Sequence, residues 1–260
     1  MTVCIAALCN WLYPNKEIGR AVITAADRML TSGDVEYEPP QFKTCFLAPK
    51  INILVAGDMV VHTEALLATH RRIAVSPSDD VENAARIYAS CVQDVRERRA
   101  ADLYLRALGL DQLSFLQQQK QMNQQLVFDL ASQLQAYELD VEALVVGCDG
   151  NISAHIFHVD GLGIVTCHDD INFAAIGLGR EHAKSFFMAS KYPKILSYSQ
   201  ALPVIFVAKK RAEIAPGVGT KTDYFLITRF GVEKVHDAFI KVMEPQYILT
   251  CSPEMPPFRG

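Results

Sequence analysis

The chain has little of what would classify it quickly. Its seven cysteines are an odd number, scattered through 260 residues with no pair at CxxC spacing; that argues against a disulfide framework or a zinc site. The longest apolar runs, such as Val3–Cys9 and Ala201–Ala208, fall far short of a membrane span. Basic residues are not in excess: 25 Lys and Arg against 29 Asp and Glu leave a net charge of −4, without the basic footprint of a nucleic-acid binder. The N-terminal stretch has neither the basic segment nor the long apolar core of a secretory leader. Gly177-Leu178-Gly179 lacks the third glycine of a dinucleotide fingerprint. These absences lead to the expectation of a soluble, cytoplasmic α/β-type protein, with no nucleic acid or membrane among its partners and no metal or cofactor.

Half of the residues are apolar, and the length suits one large domain or two small ones. Thr2–Cys9 is small, apolar and β-branched, as a strand buried on both faces would be. Asn10–Gly19 reads as a hairpin connection into a second strand, Arg20–Asp27, which ends on a carboxylate. Gly33 and Pro39-Pro40 punctuate the next stretch, before short strands at Phe42–Leu47 and Ile51–Ala56 that close on Gly57-Asp58. From His62 to about Glu138 the pattern is helical, with a break near Gly109 and a Gln-rich segment beyond it. Leu126, Leu130 and Leu134 repeat every four residues, a stripe suited to packing on a helix or a second subunit.

Strands resume at Glu142–Cys148, Ile152–His158, Gly163–Cys167 and Ile171–Ile176, with Asp149-Gly150-Asn151 as a hairpin turn. Helices are predicted over Arg180–Lys191 and Ser199–Ile214, then a strand pair, Tyr224–Thr228 and Val232–Val235. From Glu244 the tail carries Pro245, Pro253, Pro256 and Pro257 and is expected to wrap a surface or stay loose. Strands, helices, strands, helices, strands is an order that two sheets between helical layers would satisfy.

Chemistry enters at the second residue. Threonine is small enough for an initiator methionine to be removed before it. Thr2 would then carry a hydroxyl and a free α-amine, and an amine of pKa near 8 can act as base toward its own hydroxyl. Asp27 ends the second strand and Lys43 opens the third, so an antiparallel meander could bring both to the start of the first. A lysine beside a hydroxyl lowers its pKa, and a carboxylate keeps that lysine charged and oriented. Gly57 could present an unobstructed backbone N–H to an oxyanion. Taken singly, Asp27 and Lys43 read first as an ordinary ion pair, and Gly57 as an ordinary turn glycine.

Together, these residues resemble the proteasome β-type threonine peptidases, including the simpler bacterial proteasome-like enzymes. The similarity lies in Thr2-Val-Cys-Ile-Ala, in Val-Ile-Thr-Ala-Ala-Asp27-Arg-Met-Leu-Thr31-Ser-Gly33, in Lys43, and in Leu-Val-Ala-Gly57-Asp. In outline it continues through Ile176-Gly177-Leu178-Gly179 and the Tyr224–Val235 hairpin.

The resemblance implies an α+β fold, the four-layer αββα sandwich of N-terminal-nucleophile hydrolases, over residues 2–243, with a helical insert at about 101–125 and a tail over 244–260. It implies Thr2 as nucleophile and, through its amine and a water, base. Lys43 would lower the hydroxyl pKa, Asp27 would orient Lys43, the Gly57 amide would stabilise the oxyanion, and the Thr31 backbone would pair with an extended substrate. It also implies a peptide or unfolded-protein substrate, a homo-oligomeric ring and an ATP-dependent unfoldase as partner.

Two departures stand out. The family's Gly-Ser-Gly serine, which supports the terminal amine, is Leu178, and its Asp-x-x-Ser-Gly segment appears as Ala215-Pro-Gly-Val218-Gly219. Leucine offers the amine no hydrogen bond. A non-catalytic ring subunit of the same fold and a hydrolase or transferase of small amides therefore stay open as alternatives. Elsewhere the ordinary readings are preferred. His155 and His158, three apart on a strand, point to opposite faces; His168-Asp169-Asp170 reads as a solvated turn; Cys4 as a small packed residue; and Lys209-Lys210-Arg211 as a solvated face or a helix C-terminal turn.

Overall fold

The computed structural model describes residues 2–32, 35–38, 43–77, 79–150, 153–193 and 196–251. Met1, Gly33, Pro39, Pro40, Phe42, Asn151, Ile152, Pro253, Pro256 and Pro257 lie outside them. In chain order, β1 (Val3–Leu12), β2 (Ile18–Asp27), β3 (Leu30–Ser32), β4 (Val35–Tyr37), β5 (Thr44–Ala48) and β6 (Ile51–Gly57) precede four helices. These are α1 (Met59–Val75), α2 (Val81–Tyr104), α3 (Gln112–Gln118) and α4 (Gln124–Ala136). Then come β7 (Val141–Cys148), β8 (Ala154–Val159), β9 (Val165–Cys167), β10 (Phe173–Gly177), α5 (Arg180–Ala189), α6 (Tyr198–Ala212), β11 (Thr222–Thr228), β12 (Gly231–Lys234) and α7 (Asp237–Cys251).

The strands form two five-stranded antiparallel sheets, β10-β1-β2-β11-β12 and β5-β6-β7-β8-β9, with β3 and β4 a separate pair. Why β1 is apolar without alternation is now plain: both of its faces are covered. Val3, Ile5 and Ala7 pack with Ala183 and Phe187 of α5 and with Ile205 and Phe206 of α6. Cys4, Ala6 and Leu8 face Leu54, Leu144, Val146 and Ile156 of the other sheet. β6 and β7 divide in the same way, Ile53, Val55, Ala143 and Val145 lying against Ala65, Tyr88 and Val92 of α1 and α2. The chain is thus an α+β protein whose two sheets pack face to face between helices. Burying a large side chain in such a layer contributes about 1.5–3 kcal/mol.

The helices start where polar side chains can hold their first amides. Asp58 accepts from Val60 N (2.8 Å) at α1, Asp80 from Asn83 N (3.1 Å) at α2, and Asn123 from Gln125 N (2.9 Å) at α4. The expected break near Gly109 is a 3-10 turn, Arg106–Leu108, closed by Gly109 at φ 71°. Beyond it a small separate core gathers Leu105, Phe115 and Leu130, with Leu134 and Val127 against them. Of the predicted leucine stripe Leu130 is buried, while Leu126 is 40 % exposed.

Three expectations need correction. The first connection is shorter than Asn10–Gly19, because Asn10, Trp11 and Leu12 go on pairing with Arg20, Gly19 and Ile18. The chain from Glu244 is not loose as far as Cys251: α7 runs through it, Pro245 included. Lys209 is not on a solvated face but fully buried, for reasons that belong to the site. No helix among the described residues is long and apolar enough to cross a membrane.

Candidate active site

β1 begins where β2 ends, so Thr2 and Asp27 are brought together by the antiparallel register that also pairs Cys4 with Ala26. Thr2 is buried, and its Oγ1 donates to Asp27 Oδ1. The same oxygen accepts from Val3 N (3.2 Å) and from Lys43 Nζ (3.2 Å), while Asp27 Oδ2 accepts from Gly219 N (2.7 Å). Asp27 and Lys43 are 0 % and 5 % exposed. A carboxylate this dry needs its charge matched and its lone pairs filled, and here four donors do so. Beyond the orienting role expected of it, Asp27 touches the hydroxyl itself, so Thr2 and Lys43 meet on one oxygen.

Gly57 ends β6 at φ +104°, where L side chains are strained, and a Cβ there would overlap the Asp140 carbonyl oxygen. Asp58 N donates to that same carbonyl at 2.7 Å. Gly57 lines two clefts, of about 390 and 470 Å³, that share Thr2, Ala56, Gly57 and Asp140. Leu30, Lys43, Val55, Met59 and Val60 belong to the first; Glu142, Gly177, Leu178, Arg180 and Glu181 belong to the second. Thr2 therefore sits where two openings meet. Thr31 is on β3, its backbone in register with Glu36 of β4, and among the described residues β3 pairs with no other strand. The four residues Thr2, Asp27, Lys43 and Gly57 are brought together; Thr31 follows Leu30, which lines the first cleft.

The side that departs from the family pattern is built from backbone. Gly177, at φ +81°, lies so close to the Thr2 carbonyl that a Cβ would overlap it, and Gly179 N donates to Thr2 O at 3.4 Å. Leu178 between them is 55 % exposed in the cleft wall. Glu142, on the inner face of β7, accepts from Gly177 N (3.0 Å) and from Arg180 Nη1 (2.7 Å), with His158 Nε2 at 3.6 Å. Burial alone would raise its carboxyl pKa, but His158, the Gly177 N–H and the Arg180 charge together hold it at about 2.

Two contributors escape sequence reasoning. Gly219 reaches Asp27 through its amide, which no side-chain motif announces. Lys209 of α6 donates to Gly219 O (2.6 Å), Thr220 O (3.2 Å) and Glu213 Oε1 (2.5 Å). Burial lowers its pKa while Glu213 opposes that shift. Its one legible signal is Glu213 four residues on, an i,i+4 partner for a lysine that sits in a basic run.

Cys4, next but one to Thr2, donates from Sγ to Val55 O, and burial pushes its thiol up to about 12, so it stays protonated. His168-Asp169-Asp170 is more than a solvated turn: Asp169 accepts from Ile156 N (2.9 Å) and pairs with His155 Nδ1 (2.6 Å). No group of three or more His, Cys, Asp or Glu among the described residues is arranged to hold a metal ion. No protein-family model matches this chain, and no curated protein matches it significantly.

Proposed function

We propose that the chain is a threonine-type peptidase with the N-terminal-nucleophile hydrolase fold, of the proteasome-like kind it resembles. The observation that carries this reading is the buried Asp27 oxygen shared by Thr2 Oγ1 and Lys43 Nζ, beneath clefts rimmed by Gly57. Once Met1 is removed, the Thr2 α-amine takes the hydroxyl proton through a water, while the Lys43 charge favours the alkoxide. Oγ1 bonds to the substrate carbonyl carbon, the carbonyl electron pair moves to oxygen, and the Gly57 N–H meets the resulting oxyanion. Collapse breaks the C–N bond, with the amine-held proton passing to the leaving nitrogen. Water then hydrolyses the ester and restores Thr2.

A polymeric amide is favoured over a small one because the two clefts open on both sides of Thr2, leaving room for a chain to continue past the scissile bond. The proposal extends to assembly into a homo-oligomeric ring fed by an ATP-dependent unfoldase. In support of a self-contact, Leu103, Leu113 and Leu116 of the helical insert and Phe128 of α4 just after it are 55–67 % exposed. Light scattering is expected to give a multiple of the 28.9 kDa chain; a monomer would remove the sequestered-chamber part. A panel of fluorogenic peptide amides and small amides tests the activity. Turnover of peptides, lost in Thr2→Ala and Lys43→Ala proteins that still fold, is the expected result; turnover unchanged in Thr2→Ala would refute it.

A further inference from the structure

His62 plays no part in the chemistry just described, yet it is completely buried within reach of it. It lies in the first turns of α1, and its side chain folds back onto the strand that precedes the helix. Nε2 is 2.9 Å from Ala56 O, and Nδ1 is 2.7 Å from the Tyr88 hydroxyl on α2, with the two rings stacked at an interplanar angle of 12°. A carbonyl oxygen only accepts, so Nε2 carries the proton and donates to Ala56; Nδ1 is then the acceptor, and the Tyr88 O–H donates to it. Burial lowers the His62 pKa and raises that of Tyr88, which keeps both groups in these neutral forms. The charged groups nearest His62 are Asp58, at the N-cap of its own helix, and Asp140, on the segment leading into β7.

Ala56 O and Gly57 N belong to one peptide plane, and across a trans peptide the N–H points opposite to the C=O. Gly57 is the residue least able to fix that plane itself, being a glycine at φ +104°. That plane is held by His62 through Ala56 O, beside the β6–β7 pairing of Ala56 with Glu142, while the Asp58 N–Asp140 O bond (2.7 Å) fixes the next peptide along, Gly57–Asp58. An oxyanion donor is effective only if it is aimed before charge develops.

We infer that His62, backed by Tyr88, is a positioning residue that aims the Gly57 amide at the reacting oxygen. This rests on the amide-hydrolase reading above. His62 touches no substrate atom and acts through the Ala56–Gly57 peptide.

The test separates the two claims. Ala56-Gly57 is the single Ala-Gly dipeptide in the sequence, so a protein labelled with ¹³C′-alanine and ¹⁵N-glycine gives one carbonyl-to-amide correlation, which reports this peptide bond. In His62→Leu that peak should move in both dimensions, and kcat should fall about 10- to 100-fold with KM changing less than about threefold. This is less than the loss of an oxyanion donor outright, which runs to roughly 10²–10³. His62→Gln, whose side-chain amide can still donate to Ala56 O, should return the peak and most of the rate, and Tyr88→Phe should show a weaker form of the Leu effect. A role in stability alone would lower the melting temperature without splitting kcat from KM, and would overturn the inference. So would an unmoved peak in His62→Leu, whatever its activity. If His62→Leu does not fold, His62→Gln and Tyr88→Phe still decide, since a Gln protein with a displaced peak and a lowered kcat contradicts the role given to Nε2–H. A wild-type protein that turns over no amide while its peak responds as described overturns the hydrolase reading, and the inference with it, for a reason the peak identifies.

Discussion

The two flanks of Thr2 are built differently. On one flank, side chains do the work: Asp27 and Lys43 are buried and paired, and Asp27 accepts the Thr2 hydroxyl on the oxygen that Lys43 also reaches. On the other, main chain does it: Gly179 donates to the Thr2 carbonyl, Gly177 packs closely against it, Gly219 donates its amide to Asp27, and Leu178 stands exposed where a serine is expected. The difference is one of support. A charged side chain in a dry site carries its own electrostatic authority; a backbone amide depends on whatever holds its loop. For Gly177 that is Glu142 with Arg180, and for Gly219 it is Lys209 with Glu213.

The comparison is broken most severely on the side-chain flank. Asp27→Asn keeps the shape of the carboxylate but leaves Lys43 buried without its counter-charge. Turnover is expected to fall by about 10³-fold or more and stability by about 3–5 kcal/mol, read from kcat and denaturant unfolding. A protein that keeps its rate would show that Asp27 is structural only.

On the backbone flank the strongest expected effect comes from a residue that faces no cleft. Lys209→Met removes the donor to two carbonyls, with an expected loss of about 2 kcal/mol, and kcat should fall because the Gly219 amide is no longer fixed against Asp27. If stability drops and kcat does not, the loop supports the fold and not the site. Leu178→Ser is the smallest perturbation: it adds the missing hydroxyl where backbone already holds Thr2, and kcat should change by less than about threefold, since an exposed hydrogen bond adds little. A large gain would mean that the backbone flank is incomplete without that side chain.

How much of this the chain announces follows the same division. Thr2 and Asp27 are legible because one hairpin, β1–β2, joins two strand ends; Lys43 and Gly57 flank β5 and β6 of the other sheet, so it is the packing of the two sheets, not the single meander expected, that brings them to Thr2. The layered α+β order is legible too, since β1, β2, β6 and β7 are apolar on both faces. Gly219 is not: it meets Asp27 across 192 residues through an amide that every residue but proline possesses. Lys209 is hidden within Lys209-Lys210-Arg211, a basic run that reads as a solvated face; what buries it is the 217–220 loop folded over the end of α6. α7 is masked by Pro245, whose conflict with helix propensity composition weighs too heavily.

The central claim, that Thr2 with a free α-amine is the nucleophile, is open to one direct measurement: intact and peptide-level mass spectrometry of the purified protein before and after treatment with a hydroxyl-acylating peptidyl β-lactone. The account predicts a chain lighter by one methionine residue and a single acyl adduct on Thr2, absent from Thr2→Ala. Retention of Met1, or an adduct on any other residue with Thr2 unmodified, would contradict it.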